Sequence, residues 1–123
     1  SFAKSGFDVF AGSEVFLLAT LRGGGAGCIT ATGNVSPGPI DALYQSWNNA
    51  GADEKQAALS ATRSIFQKYP MIPALKCAIS EFSEDKDWVF VRPPWVELDP
   101  AQQASLIGDL KRHGFSMPDI KRA

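Results

Sequence analysis

The sequence predicts an α/β fold in which one parallel strand–helix–strand unit is followed by helices only. Three features carry that expectation. Two short apolar runs, residues 7–11 (FDVFA) and 27–32 (GCITAT), are bounded by glycine as buried strands are, and the second is rich in β-branched residues. Between them, Glu14 to Arg22 carries Val15, Leu18 and Leu21 near one helical face and stops at Gly23-Gly24-Gly25. After Thr32 the apolar period turns helical and stays so.

A strand, a helix and a strand in this rhythm predict a right-handed parallel unit. The next helix places Ile40, Leu43, Tyr44 and Trp47 on one stripe, with Pro39 in the first turn. Asp53 with Gln56 three residues on is a capping-box-like start for a helix reaching about Tyr69, its stripe formed by Leu59, Thr62, Phe66 and Tyr69. Pro73 opens another, with Leu75, Ala78, Ile79 and Phe82 along one side. Pro93-Pro94 removes two backbone donors, so VFVRPPWVELDP is irregular. Asp99, Pro100 and Gln102 start a last helix, with Leu106, Ile107 and Leu110 inward and Gly114 as its stop.

Parallel strands want cover on both faces and neighbours on both edges. This chain supplies helices but no third strand of the same kind. The expectation is that the earlier part of a larger sheet is missing, with SFAKSG reading as the end of a helix whose start is absent. The isolated polypeptide is expected to expose apolar sheet edges and to self-associate or unfold.

Composition excludes several functions. At 123 residues the chain has room for one domain and a modest core, and 45% hydrophobic with 20% charged residues is a globular balance. A net charge of -1 and no basic block leave no electrostatic footprint for nucleic acid. The longest apolar run, VFLLATL, is far short of the ~20 residues a membrane span needs. Cys28 and Cys77 sit in apolar settings, a spacing that suits neither a disulfide framework nor zinc; they read as buried free thiols of a cytoplasmic protein. His113, at the last turn of the final helix, suits that helix's C-terminus better than catalysis.

The stretch FDVFAGSEVFLLATLRGGGAGCITATGNVSP resembles the seventh- and eighth-strand region of the dihydrodipicolinate synthase / N-acetylneuraminate lyase family. The likeness lies in Gly12-Ser13-Glu14, Gly25-Ala26-Gly27, Ile29, Asn34-Val35 and Pro37. Further on, YPMIPALKCAI resembles the family's NPIPVK helix entry, and VRPPWVELD its loop before the terminal helix. The resemblance implies the C-terminal portion of a (β/α)8 TIM barrel, strands seven and eight, followed by a three-helix extension. Residues 1–50 would be the last two βα units and residues 51–123 the extension.

The chemistry so implied is that of a class I, Schiff-base-forming lyase or aldolase acting on pyruvate or another 2-oxo acid, with no cofactor or metal and commonly as a dimer or tetramer. Its Schiff-base lysine, on the sixth strand, would lie ~25 residues upstream, and its proton-relay tyrosine earlier still. No catalytic residue is therefore assigned within the chain, which is expected to be inactive alone. Lys4 precedes the seventh strand on the wrong side of the barrel, and Lys76 lies in the extension with its stem over that surface.

The substrate-binding residues implied are Gly12, Ser13, Glu14, Ile29 and Ala31. Gly12 lets the backbone approach a substrate. Ser13 and Glu14 match positions that bind sugar hydroxyls in lyase members, although serine at the first departs from the usual acid and argues against a polyol. The same two residues suit a helix cap. Ile29 matches a position whose backbone lines the pyruvate pocket, and Ala31 one that carries a hydroxyl in sialic acid lyases, which argues against that substrate. Thr32 and Asn34 either orient a water or cap the next helix. RGGGAG ends a helix rather than opening one, so it is a turn and not a phosphate loop; TGNVSPGP is placed correctly for phosphate but lacks a lysine or arginine. The alternative to the enzyme reading is a non-enzymatic helical packing or oligomerisation module.

Overall fold

The computed structural model describes residues 2–122. Its contacts divide the chain into two compact units, one up to Ala61 and one from Thr62.

In the first unit a 3-10 helix, Phe2–Ser5, ends at Gly6 (φ +85°), a conformation glycine adopts without strain. Strands β1 (Phe10–Ala11) and β2 (Gly27–Cys28) pair in parallel, Phe10 opposite Gly27 and Ala11 opposite Cys28. Two further bonds extend the ladder, Ala26 N–H to the Val9 carbonyl (2.8 Å) and Ile29 N–H to that of Ala11 (2.9 Å). Both strands are shorter than their apolar runs. Each has one partner strand, and Gly33 N–H turns back onto the Thr30 carbonyl (3.1 Å), so Ala31–Asn34 winds into a 3-10 turn where the sequence predicts strand.

The chain enters helix α1 (Leu17–Arg22) through a 3-10 turn, Glu14–Phe16. That tighter start shifts the inward face. Leu17, Leu18 and Leu21 are buried, while Val15 is only half-buried. They form one core with Leu43 of α2 (Pro37–Gln45) and with Ala52 and Leu59 of α3 (Ala52–Phe66); Cys28, Ile40 and Trp47 pack against it. Each leucine so buried stabilises the unit by about 1.5–3 kcal/mol. Tyr44, expected on the same stripe, is exposed. Because α3 begins at Ala52, Asp53 lies inside its first turn, where its carboxylate accepts from the two terminal nitrogens of the Arg22 guanidinium (2.9 and 2.8 Å).

In the second unit α4 (Met71–Ser83) carries Pro73 in its first turn, where the missing N–H costs nothing. α5 (Pro100–Arg112) opens with the full capping box that its sequence predicts. Asp99 Oδ1 accepts from Gln102 N–H (2.8 Å), and Gln102 Oε1 accepts from Asp99 N–H (3.0 Å). Leu106 and Leu110 are buried, and Phe115 meets Phe66 and Phe82 edge-on, ring centroids 5.8 and 5.3 Å apart. Residues 90–98 form no helix or strand.

Candidate active site

The two parallel strands aim their carboxyl ends the same way, and β1 hands directly to the Glu14 turn. Glu14 is 2% exposed, the one buried acid among the described residues. A carboxylate so far from water needs donors at its oxygens. Thr30 Oγ1, just beyond β2, donates to Glu14 Oε2 at 2.5 Å, and Ser13 Oγ lies 3.4 Å from the same oxygen. Thr32 Oγ1 is 3.2 Å from Thr30 Oγ1. A hydroxyl has one proton, and that of Thr30 goes to Glu14, so Thr32 donates to Thr30. The result is a directed relay, Thr32 to Thr30 to Glu14.

Ser13 has a second task. Its Oγ accepts from Val15 N–H (3.3 Å) and caps the 3-10 turn. Thr32 and Asn34 do not cap α2; Asn34 Nδ2 instead donates to the Ala31 carbonyl (2.9 Å). Gly12 is exposed, with open space where a Cβ would sit. Ile29 is 73% exposed and Ala31 is exposed beside it in the chain. The structure thus brings Ser13 and Glu14 together with Thr30 and Thr32, and leaves Gly12, Ile29 and Ala31 open to solvent at the strand ends. The sequence places Thr30 with Ile29, Ala31 and Thr32 at the strand end that lines the site, but assigns it no role. Its signal was present: Cys28, Thr30 and Thr32 alternate along GCITAT, so a strand there turns both hydroxyls to one face.

A cleft of about 450 Å³ lies between β2 and α2, lined by Phe10, Cys28, Thr30, Pro37, Ile40 and Tyr44 among others. Burial, and next the Glu14 carboxylate, push the Cys28 thiol above its ordinary value. Burial and then Glu81 raise Cys77 as well, against a smaller opposing effect of Lys86. Both cysteines are free, and neither is poised as a thiolate at neutral pH. Cys77 is buried as expected, whereas Cys28 is only half-buried.

The glycine run is a turn. The N–H groups of Gly23, Gly24, Gly25 and Ala26 are all spent on carbonyls, at 2.8–3.0 Å, so none is left for an anion. Lys4 lies on the exposed Phe2–Ser5 helix, and Lys76 Nζ sits 5.5 Å from the Trp88 ring centroid. His113 follows the end of α5, its Nε2 3.1 Å from Thr62 Oγ1. Among the described residues no helix is long and apolar enough to cross a membrane, and no group of three acids, histidines or cysteines is placed to hold a metal ion.

A parallel strand pair joined through helix α1 defines an α/β protein. Residues 2–113 match the model of the dihydrodipicolinate synthetase family, and the chain belongs to that lyase family. An uncharacterized DapA-like lyase of Chloroflexus aurantiacus is 31% identical over 99 residues, 80% of this chain and 33% of that protein. Among solved structures, YagE, a prophage protein of the dihydrodipicolinic acid synthase family from E. coli K12 in complex with pyruvate, superposes with a TM-score of 0.80 at 28% identity, over 93% of this chain and 39% of that one. Dihydrodipicolinate synthase from Agrobacterium tumefaciens shares the fold, with a TM-score of 0.72 at 22% identity, over 86% of this chain and 35% of that one. The chain therefore spans about a third of the length of the curated relative it matches.

Proposed function

We propose that this chain is the C-terminal part of a class I, Schiff-base-forming lyase or aldolase acting on pyruvate or another 2-oxo acid. Residues 1–50 would supply strands seven and eight of a (β/α)8 barrel with their helices, and residues 51–123 a helical extension. The observation that carries the reading is the Glu14–Thr30–Thr32 relay beyond the carboxyl ends of two parallel strands, the end at which such barrels hold substrate. The complex of YagE with pyruvate supports the substrate class.

The sheet supports the barrel. Two strands leave two open edges, and Phe10 and Ile29, 50% and 73% exposed, are large apolar side chains that further strands would cover. In this reading a lysine outside these residues condenses with the 2-oxo carbonyl, expelling water, and the resulting imine loses a proton to give the enamine that forms or breaks the carbon–carbon bond. Gly12, Ile29 and Ala31 line the mouth of the site, while Ser13 and Glu14 present a fixed acceptor to the second substrate. The chain alone is then inactive, and the working enzyme is a cytoplasmic homo-oligomer.

Intact mass spectrometry of the complete polypeptide encoded with this chain, before and after pyruvate with borohydride, tests the proposal. A reduced pyruvate adduct on a lysine outside residues 1–123 is the expected result. No adduct sinks the lyase reading and leaves the helical packing module; an adduct on Lys4 or Lys76 overturns the assignment of the lysine.

A further inference from the structure

In a continuous α-helix the Leu18 N–H would donate to the Glu14 carbonyl four residues back. A side chain from α3 stands in that bond instead. Leu18 N–H donates to Gln56 Oε1 at 3.0 Å, and Gln56 Nε2 donates to the Glu14 carbonyl at 3.0 Å and to Ser60 Oγ at 3.3 Å. Both amide protons and the acceptor of the carboxamide are thereby used. The Glu14 carbonyl also takes the Leu17 N–H, an i−3 partner, which is the 3-10 winding of Glu14–Phe16.

We infer that Gln56 is the positioning residue of the Glu14 site: inserted between the Leu18 N–H and the Glu14 carbonyl, it keeps Glu14 off helix α1 and holds its carboxylate on Thr30. A 3-10 turn advances about 120° per residue and an α-helix about 100°. If Leu18 recovered its own i−4 bond, residues 14–16 would rewind and Glu14 would swing by roughly 60° about the axis, taking its carboxylate off the Thr30 hydroxyl. The alternative outcome of losing the amide, a Leu18 N–H left unpaired beside a buried side chain, is disfavoured and pushes the turn toward rewinding. α3 is well placed for the task. Asp53, three residues before Gln56, grips Arg22 at the far end of α1, while Ala52 and Leu59 share its core.

A double-mutant cycle separates positioning from mere packing, because residues that act independently add. Thr30→Val is made in the complete polypeptide, in wild type and in Gln56→Met, and the urea midpoint of each is measured. The loss caused by Thr30→Val is expected to shrink to less than half in the Gln56→Met background, since Glu14 has already left Thr30. Gln56→Glu, which keeps an acceptor for the Leu18 N–H and so leaves the turn no drive to rewind, is expected to retain most of the wild-type loss. Equal losses in all backgrounds overturn the inference, as does a Thr30→Val change without cost in wild type.

The consequence for turnover rests on the lyase reading above. There Gln56→Met leaves the rate of pyruvate adduct formation unchanged and raises KM for the second substrate by about tenfold, within what misplacing a group by 1 Å can cost. A wild type that forms no adduct but shows the coupling sinks the lyase reading alone. An adduct-forming enzyme with additive losses sinks the role of Gln56 alone.

Discussion

The two units solve the same problem, ordering short helices, by different means. From Thr62 onward polar groups stay at the surface and the helix ends, in a capping box at Asp99 and exposed ion pairs, around an edge-on aromatic trio of Phe66, Phe82 and Phe115. Up to Ala61 a leucine core is joined by polar bonds that reach a buried side chain. A buried carboxylate is held by a hydroxyl 16 residues away, and a side-chain amide stands in the backbone of α1 from 38 residues away. A helix that needed only stability would begin with its own i−4 bond. The departure from that rule falls on the one buried acid at the strand ends, where functional constraint is expected to override local preference.

Truncation of the core should give the largest effects and show that both units depend on close packing. Phe66 and Leu43 are each 0% exposed. Phe66→Ala is expected to cost about 3–5 kcal/mol and Leu43→Ala about 2–5 kcal/mol, read from urea denaturation. A Leu43→Ala loss under 1 kcal/mol would mean that the first unit is held by its polar network and not by its leucines. Next in size is Thr30→Val. It removes the hydroxyl that meets Glu14 and leaves a buried carboxylate short of a donor, at about 1–3 kcal/mol. Asp99→Ala should cost about 1 kcal/mol, the usual worth of a helix N-cap.

These differences explain what could be read from the chain beforehand. Asp99 and Gln102 announce a helix start because both halves of the box lie within four residues, and Gly114 (φ +77°) announces the stop. Asp53 and Gln56 show the same spacing, yet their side chains are spent on Arg22, Leu18 and Glu14. Spacing alone cannot tell a cap from a tertiary tether. Glu14 and Ser13 were legible as a pair after a strand, whereas the dependence of Glu14 on Thr30 and Gln56 was not, because it arises only when distant segments meet. The strand ends were overextended for a local reason: a β-branched run gives a propensity, and the turn at Ala31–Asn34 is set by side-chain and backbone bonds three residues apart that compete with the ladder.

The smallest effect expected is confined to the second unit and to one pH range. The Lys111 ammonium, 2.7 Å from Glu81, holds that carboxyl below its ordinary value against a lesser opposing effect of burial; Lys68, and then Arg112, do the same for Asp109. A carboxylate whose folded pKa lies below its unfolded one stabilises the fold above the unfolded value, here 4.5 for Glu81 and 3.8 for Asp109, and the contribution fades as pH falls through the lowered folded value. Lys111→Met should therefore melt below wild type at neutral pH, and the gap should close as pH drops under that window. Because the lysines of both pairs are more than half exposed, the gap should be smaller than that of Asp99→Ala and should narrow in 1 M salt. A gap that persists at low pH and high salt would mean that Lys111 acts through its apolar stem, and the second unit would then owe its surface to packing rather than to charge.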